Sequence, residues 1–423
     1  MKRIIVYKLA VLLLMGLFTG CVQPKPQRVN AEDHTEIKDS LTAESNEDYQ
    51  FEEDRVLIQK GNAFSLHLFQ KVATETKKST FISTIGILYS LNVLNLGATG
   101  ETLQEICDVL GVDSTDLKRM NTLCRRMIKR QEKMQADDLP GLSSNLLTGC
   151  ALFVKSGVEI SPLFTNDFEH FYFGHIIQGS FDDKMQSQID DWCSNKTDNK
   201  INHLPIEDDA QSILAIVNCF NGKWEKEFDT EQTKEEIFYG RRNKTVMMMN
   251  DADDDRRLSL TQRSDYSLLR IPYRGGYVMY VILPEKGKTL LSVIQKLTLK
   301  ELQNAIDDLN YYDAVYIKLP KFEMNYNWIA NKWLTSMGIR KVFGRKADLD
   351  NLNKDLYVSS LSQYAKVKVD EIGTDASAVT FEVLKAKEEK EPSVAYFYAD
   401  HPFAYIIQDT FGNYCFMGTF WGD

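Results

Sequence analysis

Two apolar runs near the end of the chain constrain its fold most. Pro402-Phe-Ala-Tyr-Ile-Ile407 and Tyr414-Cys-Phe-Met-Gly-Thr-Phe420 stand on either side of a turn signal at Gly412-Asn413. Rich in β-branched and aromatic side chains and joined by a short connection, they predict two neighbouring antiparallel strands. Residues 256–283 alternate in the same way and turn at Arg274-Gly275-Gly276. Residues 144–155 and 211–221 predict buried strands around a helical stretch that carries Ile189 and Trp192. From Arg55 to about Asp138 the period changes. Phe64, Leu68 and Val72, then Ile85, Leu88 and Leu91, recur at helical spacing with Gly97, Gly100 and Gly111 as breaks, which predicts a run of helices. The expected class is α+β, with helices packed on mainly antiparallel sheets.

The first residues set the compartment. Lys2 and Arg3 precede an apolar run, Leu9 to Phe18, that is too short to span a bilayer and ends in Thr19-Gly20-Cys21. Small residues before a cysteine read as a bacterial lipoprotein signal over residues 1–20. The Cys21 thiol then takes the lipid; the alternative is an ordinary secretory signal. Either way the expected mature protein is exported, as a lipid-anchored protein of the cell envelope that touches the membrane only through that lipid. Between Ala31 and Asp54 ten acids face a single lysine, Lys38, with no sustained apolar period. Such a stretch predicts an acidic, disordered tether over 21–54, with the folded domain at 55–423.

Composition then removes function classes. With 50 Lys plus Arg against 60 Asp plus Glu and a net charge of −10, the chain lacks the phosphate-neutralising surface of a nucleic-acid binder. Cys107, Cys124, Cys150, Cys193, Cys219 and Cys415 are scattered through apolar contexts without a Cys-x-x-Cys pair, so buried thiols are expected and neither metal nor cofactor is implied. His170 and His175 have the wrong spacing for a helical zinc pair. No nucleophile elbow, phosphate loop, dinucleotide fingerprint or zinc-protease motif occurs, so no enzyme is expected.

The most informative stretch runs VKVDEIGTDASAVT over 367–380, then FEVLKAKEEKEPS, then FYADHPFAYIIQD over 397–409. It resembles the serpins, whose hinge reads as an acid, Gly, Thr and a run of small residues. Here those positions are Glu371, Gly373, Thr374, Asp375, Ala376, Ser377, Ala378, Val379 and Thr380. NAFSLHLF (62–69), LNVLNLGATGET (91–102), VNCFNGKWEKEFDTEQTKEEIF (217–238), LPKFEMNYNWIANKWLTSMGIRKVF (319–343) and FMGTF (416–420) follow the family's order. The resemblance implies the serpin fold with an exposed reactive-centre loop. It also implies a monomeric suicide inhibitor that traps serine-type endopeptidases, with cross-inhibition of cysteine proteases open. Counting along the loop as the family does places the scissile bond at Lys387-Glu388, with Lys385 and Lys390 as rivals, and so a trypsin-like target.

In the family's sheet-opening region Asn218 and Trp224 match, whereas Ser83-Thr84 stands for the usual Ser-Pro and Gln363 for a histidine. Strand alternation points Glu382 inward, late in the inserted strand. Arg125, Lys129 and Lys133 share a helix face that in some family members binds sulfated polysaccharide; a solvated face is the plainer reading. A non-inhibitory surface lipoprotein that binds glycans, or is simply cut, is the alternative function.

Overall fold

A computed structural model of the chain describes residues 33–136, 144–206, 210–253, 257–374 and 393–423, with backbone alone at 33–53, 134–136 and 374. Helices lead, in the order α1 (Asp33–Thr76), β1 (Thr80–Ser83), α2 (Thr84–Gly97), α3 (Gly100–Leu110) and α4 (Ser114–Ala136). Next come β2 (Asn145–Lys155), α5 (Pro162–Tyr172), β3 (His175–Gly179), α6 (Asp183–Lys196) and β4 (Ser212–Lys223). Two hairpin-like runs in different sheets follow, β5 (Lys234–Tyr239) with β6 (Asn243–Asp253), then β7 (Ser259–Gln262), β8 (Tyr266–Pro272) and β9 (Val278–Pro284). Then α7 (Leu290–Lys296), α8 (Leu299–Asp307), β10 (Asn310–Tyr311), β11 (Ala314–Pro320), β12 (Phe322–Ile329) and α9 (Asn331–Met337) lead into β13 (Ser362–Val369) and β14 (Gly373–Thr374). The chain closes with β15 (Val394–Tyr398), β16 (Phe403–Gln408) and β17 (Tyr414–Phe420).

The closing strands pair as expected, Phe403 opposite Phe420 through Ile407 opposite Phe416, and sit inside a seven-stranded sheet ordered β1-β17-β16-β9-β8-β7-β10. β9 and β17 are buried at every position, so they read as continuous apolar runs, as strands covered on both faces must. Phe81 stacks on Phe416 with ring centroids 5.1 Å apart, tying β1 to β17. The other sheets run β15-β11-β6-β5, β14-β4-β2-β3 and β12-β13. Pairing is antiparallel except between β11 and β15 and between β2 and β3.

Two expectations change. β1 interrupts the predicted run of helices, because a four-residue strand, paired Thr80 to Thr419, is too short to show a period. The acidic stretch is helical from Asp33 on, where composition predicts irregular backbone. Its Glu, Lys, Leu and Ala residues favour helix, and growth from the packed half of α1 needs no new nucleus. The compact unit itself runs Glu52–Asp423.

β2 and β4 have cores on both faces. Phe220, with Leu214 and Ile216, packs toward α2 and the main core, while Ala215 and Val217 pack with Met185 and Ile189 of α6. The six cysteines of the folded unit are free and buried, and burial raises Cys124, Cys150 and Cys193 to about 12, which keeps them as unreactive thiols.

Candidate functional site

The site is a gap in a sheet. β4 uses one edge to pair with β2 from Ser212 to Asn221, and on its other edge carries, among the described residues, only Gly373 and Thr374 of β14, opposite Lys223 and Gly222. β13 pairs with β12 from Ser362 to Val369 and belongs to a different sheet from β4. Below β14, then, β4 and β13 each present an edge that no described residue pairs with, an open template for one more strand. The lower half of this gap widens into a cavity of about 270 Å³ lined by Ser212 to Val217, Asn327 to Ile329, Ser362 and Tyr364.

Above the gap the chain reverses. The Asp370 amide donates to the Gly373 carbonyl at 2.9 Å, and the Asp370 carboxylate accepts from the Ile372 and Gly373 amides at 3.1 and 3.3 Å. Gly373 has φ +147°, and a Cβ there would stand 2.1 Å from the Gly222 carbonyl oxygen, so only glycine lets the hinge lie this close on β4. Trp224 clamps the start of the turn. It is fully buried, stacks on Tyr273 at 4.2 Å, donates from its amide to the Ile372 carbonyl at 3.0 Å and from Nε1 to the Asp370 carbonyl at 2.9 Å. Glu371 is held by Lys321 at 2.6 Å. Burial pushes the Glu371 carboxyl up, but the Lys321 ammonium, its own amide and the Thr233 hydroxyl bring it below its ordinary value.

Behind the gap a polar knot joins the two open edges. The Ser83 hydroxyl caps α2 by accepting from the Gly86 amide at 3.1 Å, and donates to Asn218 Oδ1 on β4 at 3.4 Å. Gln363 on β13 accepts from the Ser83 amide at 2.9 Å and from Trp328 Nε1 at 2.9 Å, and donates to the Ser83 carbonyl at 2.7 Å. Asn218 also donates to the Thr148 hydroxyl at 3.0 Å. Gly86 is obligatory here, since a Cβ would approach Asn218 Oδ1 to 2.4 Å. Ser83, Asn218 and Gln363 thus come together as the sequence reading places them. Trp224 instead serves the hinge, because the first residue after β4 lies level with the turn and not with the knot. Thr84, where the family favours proline, donates its hydroxyl to the Tyr414 carbonyl and so fastens α2 to β17.

Sequence reasoning missed Thr148, Trp328, Asp370 and Lys321. Trp328 reaches the knot as the cross-strand partner of Gln363 in the β12–β13 ladder, a pairing that no local pattern announces. Asp375 to Thr380, Lys385, Lys387, Glu388, Lys390 and Cys21 lie outside the described residues. Past the loop the chain is anchored again at Ser393, whose amide and hydroxyl donate to Asp313 Oδ2 at 2.8 and 2.9 Å.

The basic face of α4 is partly spent. Arg125 donates to the His170 carbonyl and lies 4.9 Å over the Phe173 ring, Arg126 pairs with Asp54, and Arg130 lies 5.1 Å over Phe411. Lys129 and Lys133 are exposed.

The family model for Serpin (serine protease inhibitor) matches residues 59–422. Iripin-8 of Ixodes ricinus is 27% identical over 394 residues, covering 88% of this chain and 95% of its own. Alpha-1-antitrypsin of Sus scrofa is 29% identical over 356 residues, covering 82% of each. The native-state structure of the thermophilic serpin tengpin superposes with a TM-score of 0.75 at 24% identity, over 86% of this chain and 94% of that one, and at this identity shows the fold alone. With the open sheet, its two-residue β14 and the glycine hinge in place, the match over nearly the whole compact unit makes this chain a member of the serpin family, whose members generally inhibit serine proteases.

Proposed function

We propose that this protein is a suicide inhibitor of serine-type endopeptidases, and the observation that carries the reading is the free edge of β4 with Gly373 and Thr374 already paired to its top. Carried downward, that register sets Asp375 through Leu384 against Asn221 through Ser212, and so uses the whole of β4. Ala376, Ala378, Thr380 and Glu382 then share the face of Phe220, Asn218, Ile216 and Leu214, toward the main core. Small residues pass where the knot and Phe220 leave least room.

The chemistry is acyl transfer halted midway. The protease serine attacks the Lys387 carbonyl, the Lys387-Glu388 bond breaks, and the new Glu388 amine leaves with the proton relayed by the enzyme's histidine. What remains is an ester between enzyme and loop. Water hydrolyses that ester unless the freed strand first fills the gap and carries the enzyme with it, a step driven by ladder hydrogen bonds and burial that the uncleaved fold withholds. A lysine before the cut favours a trypsin-like enzyme with an acidic pocket, and the proposed location is the cell envelope, by way of lipid on Cys21.

Glu382 favours a second reading, in which the loop is merely cut. Its place opposite Leu214 adjoins a small cavity lined by leucines and Phe164 together with Ser212, Tyr357, Ser359 and Ser360, with no cation among its lining residues. Leaving a carboxylate unpaired there costs on the order of 1 to 3 kcal/mol. One experiment separates the readings. Incubation with trypsin should give a complex that survives boiling in detergent and a released fragment that begins at Glu388. A clipped product without complex overturns the inhibitory reading, and a different first residue moves the scissile bond.

A further inference from the structure

Away from the gap, four cations converge on one cavity. It has a volume of about 410 Å³ and is lined by Lys77, just past the end of α1, by Arg241 and Arg242 of the β5–β6 turn, by Lys244 at the start of β6, and by Trp421 and Asp423 past β17. The chain is acid-rich, and several of its lysines sit in ion pairs, such as Lys60 with Asp116, Lys318 with Glu236, and Lys341 with Glu101 and Asp348. Among the described residues Lys77, Arg241, Arg242 and Lys244 have no such partner, and all are exposed. The Asp423 carboxylate accepts from the Ser79 amide at 3.2 Å and from the Ser79 hydroxyl, which orient it at the cavity wall and leave its negative charge in place.

The walls are built for close approach. A Cβ on Gly240 would lie 2.5 Å from the Trp421 carbonyl oxygen and one on Gly422 2.5 Å from the Phe238 ring, so the β5–β6 turn and the segment after β17 are pressed together through two glycines. The Tyr239 amide donates to the Asp400 carbonyl at 2.7 Å, and the Trp421 amide to the Ser79 hydroxyl at 2.9 Å. On this frame Arg241 lies 5.4 Å over the Trp421 ring, which restrains its guanidinium. A cavity lined by four cations without ion-pair partners and one side-chain carboxylate is left with an excess of positive charge.

We infer that this cavity binds a sugar- or polyol-sized molecule carrying several sulfate or phosphate esters. Two arginines and two lysines match more than one negative group, since guanidinium pairs bidentately with tetrahedral oxyanions and ammonium acts as a point charge. The volume suits a small ring, and the surrounding net charge of −10 disfavours a long polyanion running across the surface. The site is separate from α4 and independent of the inhibitory reading.

Calorimetric titration of the full chain with sucrose octasulfate and with inositol hexakisphosphate tests it. At least one probe should bind, and Arg241→Ser with Arg242→Ser should weaken it about tenfold or more, as loss of bidentate charge-assisted contacts does. Lys129→Ser with Lys133→Ser should leave it within roughly twofold, and raising the salt should weaken it in the parent. Binding of the sulfate ester alone assigns a sulfated saccharide, and binding of the phosphate ester alone a phosphorylated one. Lys77→Ser with Lys244→Ser gives an independent check should the arginine variant lose its melting transition. The proposal is overturned if neither probe binds, if both basin variants bind like the parent, or if the α4 variant loses binding instead.

Discussion

The seven-stranded sheet and the gapped sheet solve opposite problems with similar strands. In the first, β9, β16 and β17 are buried almost throughout, each pairs on both edges, and the rings of Phe81, Phe416 and Tyr405 lock the layer. In the second, β4 is buried over most of its upper half and half-buried from Ser212 to Leu214, lacks a partner among the described residues along most of one edge, and a polar knot of Ser83, Asn218 and Gln363 holds the halves where a strand is missing. Face burial and edge pairing are separate variables. A fold can complete the first while leaving the second open, and only the second stores something a cleaved loop can use.

The sharpest break of that contrast is Ala376→Arg. It would place a charge beneath the proposed inserted strand beside Phe220, at a cost of several kcal/mol, and should turn inhibitor into substrate while the melting temperature of the uncleaved protein stays put. Detergent-stable complex at the parental level would mean that insertion does not power inhibition. Ile406→Ala tests the other sheet: a buried large-to-small change there should cost about 2–5 kcal/mol and show in the uncleaved melting temperature, with complex formation at permissive temperature retained. Equal melting of variant and parent would refute the picture of a closed, fully packed layer.

A smaller effect is expected at Glu382→Val. If roughly 1.4 kcal/mol of the carboxylate's burial cost enters the insertion barrier, the ratio of trapping to deacylation rises tenfold. Titration of inhibitor against active-site-counted trypsin reads this as fewer molecules consumed per enzyme trapped; unchanged stoichiometry retires the inward-charge argument. The smallest concerns the hinge clamp. The Glu371 carboxyl lies below its ordinary value in the fold, so the ion pair with Lys321 contributes above the unfolded-state value near 4.5 and is lost as pH falls through the lower, folded one. Because Lys321 is over a third exposed, the contribution is under about 1 kcal/mol. Lys321→Met should flatten the acid limb of the stability profile, and an identical limb would assign it to other carboxylates.

How far the molecule was legible follows from range. The β16–β17 hairpin announces itself because its signals, alternation and a Gly-Asn turn, lie within one short stretch. The hinge is legible because small residues in a row have few structural uses, and the family order around them supplies the rest. The knot was half visible: Ser83, Asn218 and Gln363 were located by resemblance, but Trp328 and Thr148 look like ordinary strand residues until the ladders bring them near. The basin was invisible, since Lys77, Arg241, Arg242 and Lys244 come from separate segments with no shared period.

By itself the sequence determined most of the longer strands and helices, where the loop hinges, and the run of small residues there, because those properties depend on neighbours a few residues apart. Tertiary structure alone decided that β4 and β13 stay unpaired, that Trp224 clamps the hinge and not the knot, and that four scattered cations share a cavity. Each of these turns on which distant groups become neighbours. A strand carries the same donors and acceptors on both edges, so nothing local in it says which edge will be left open.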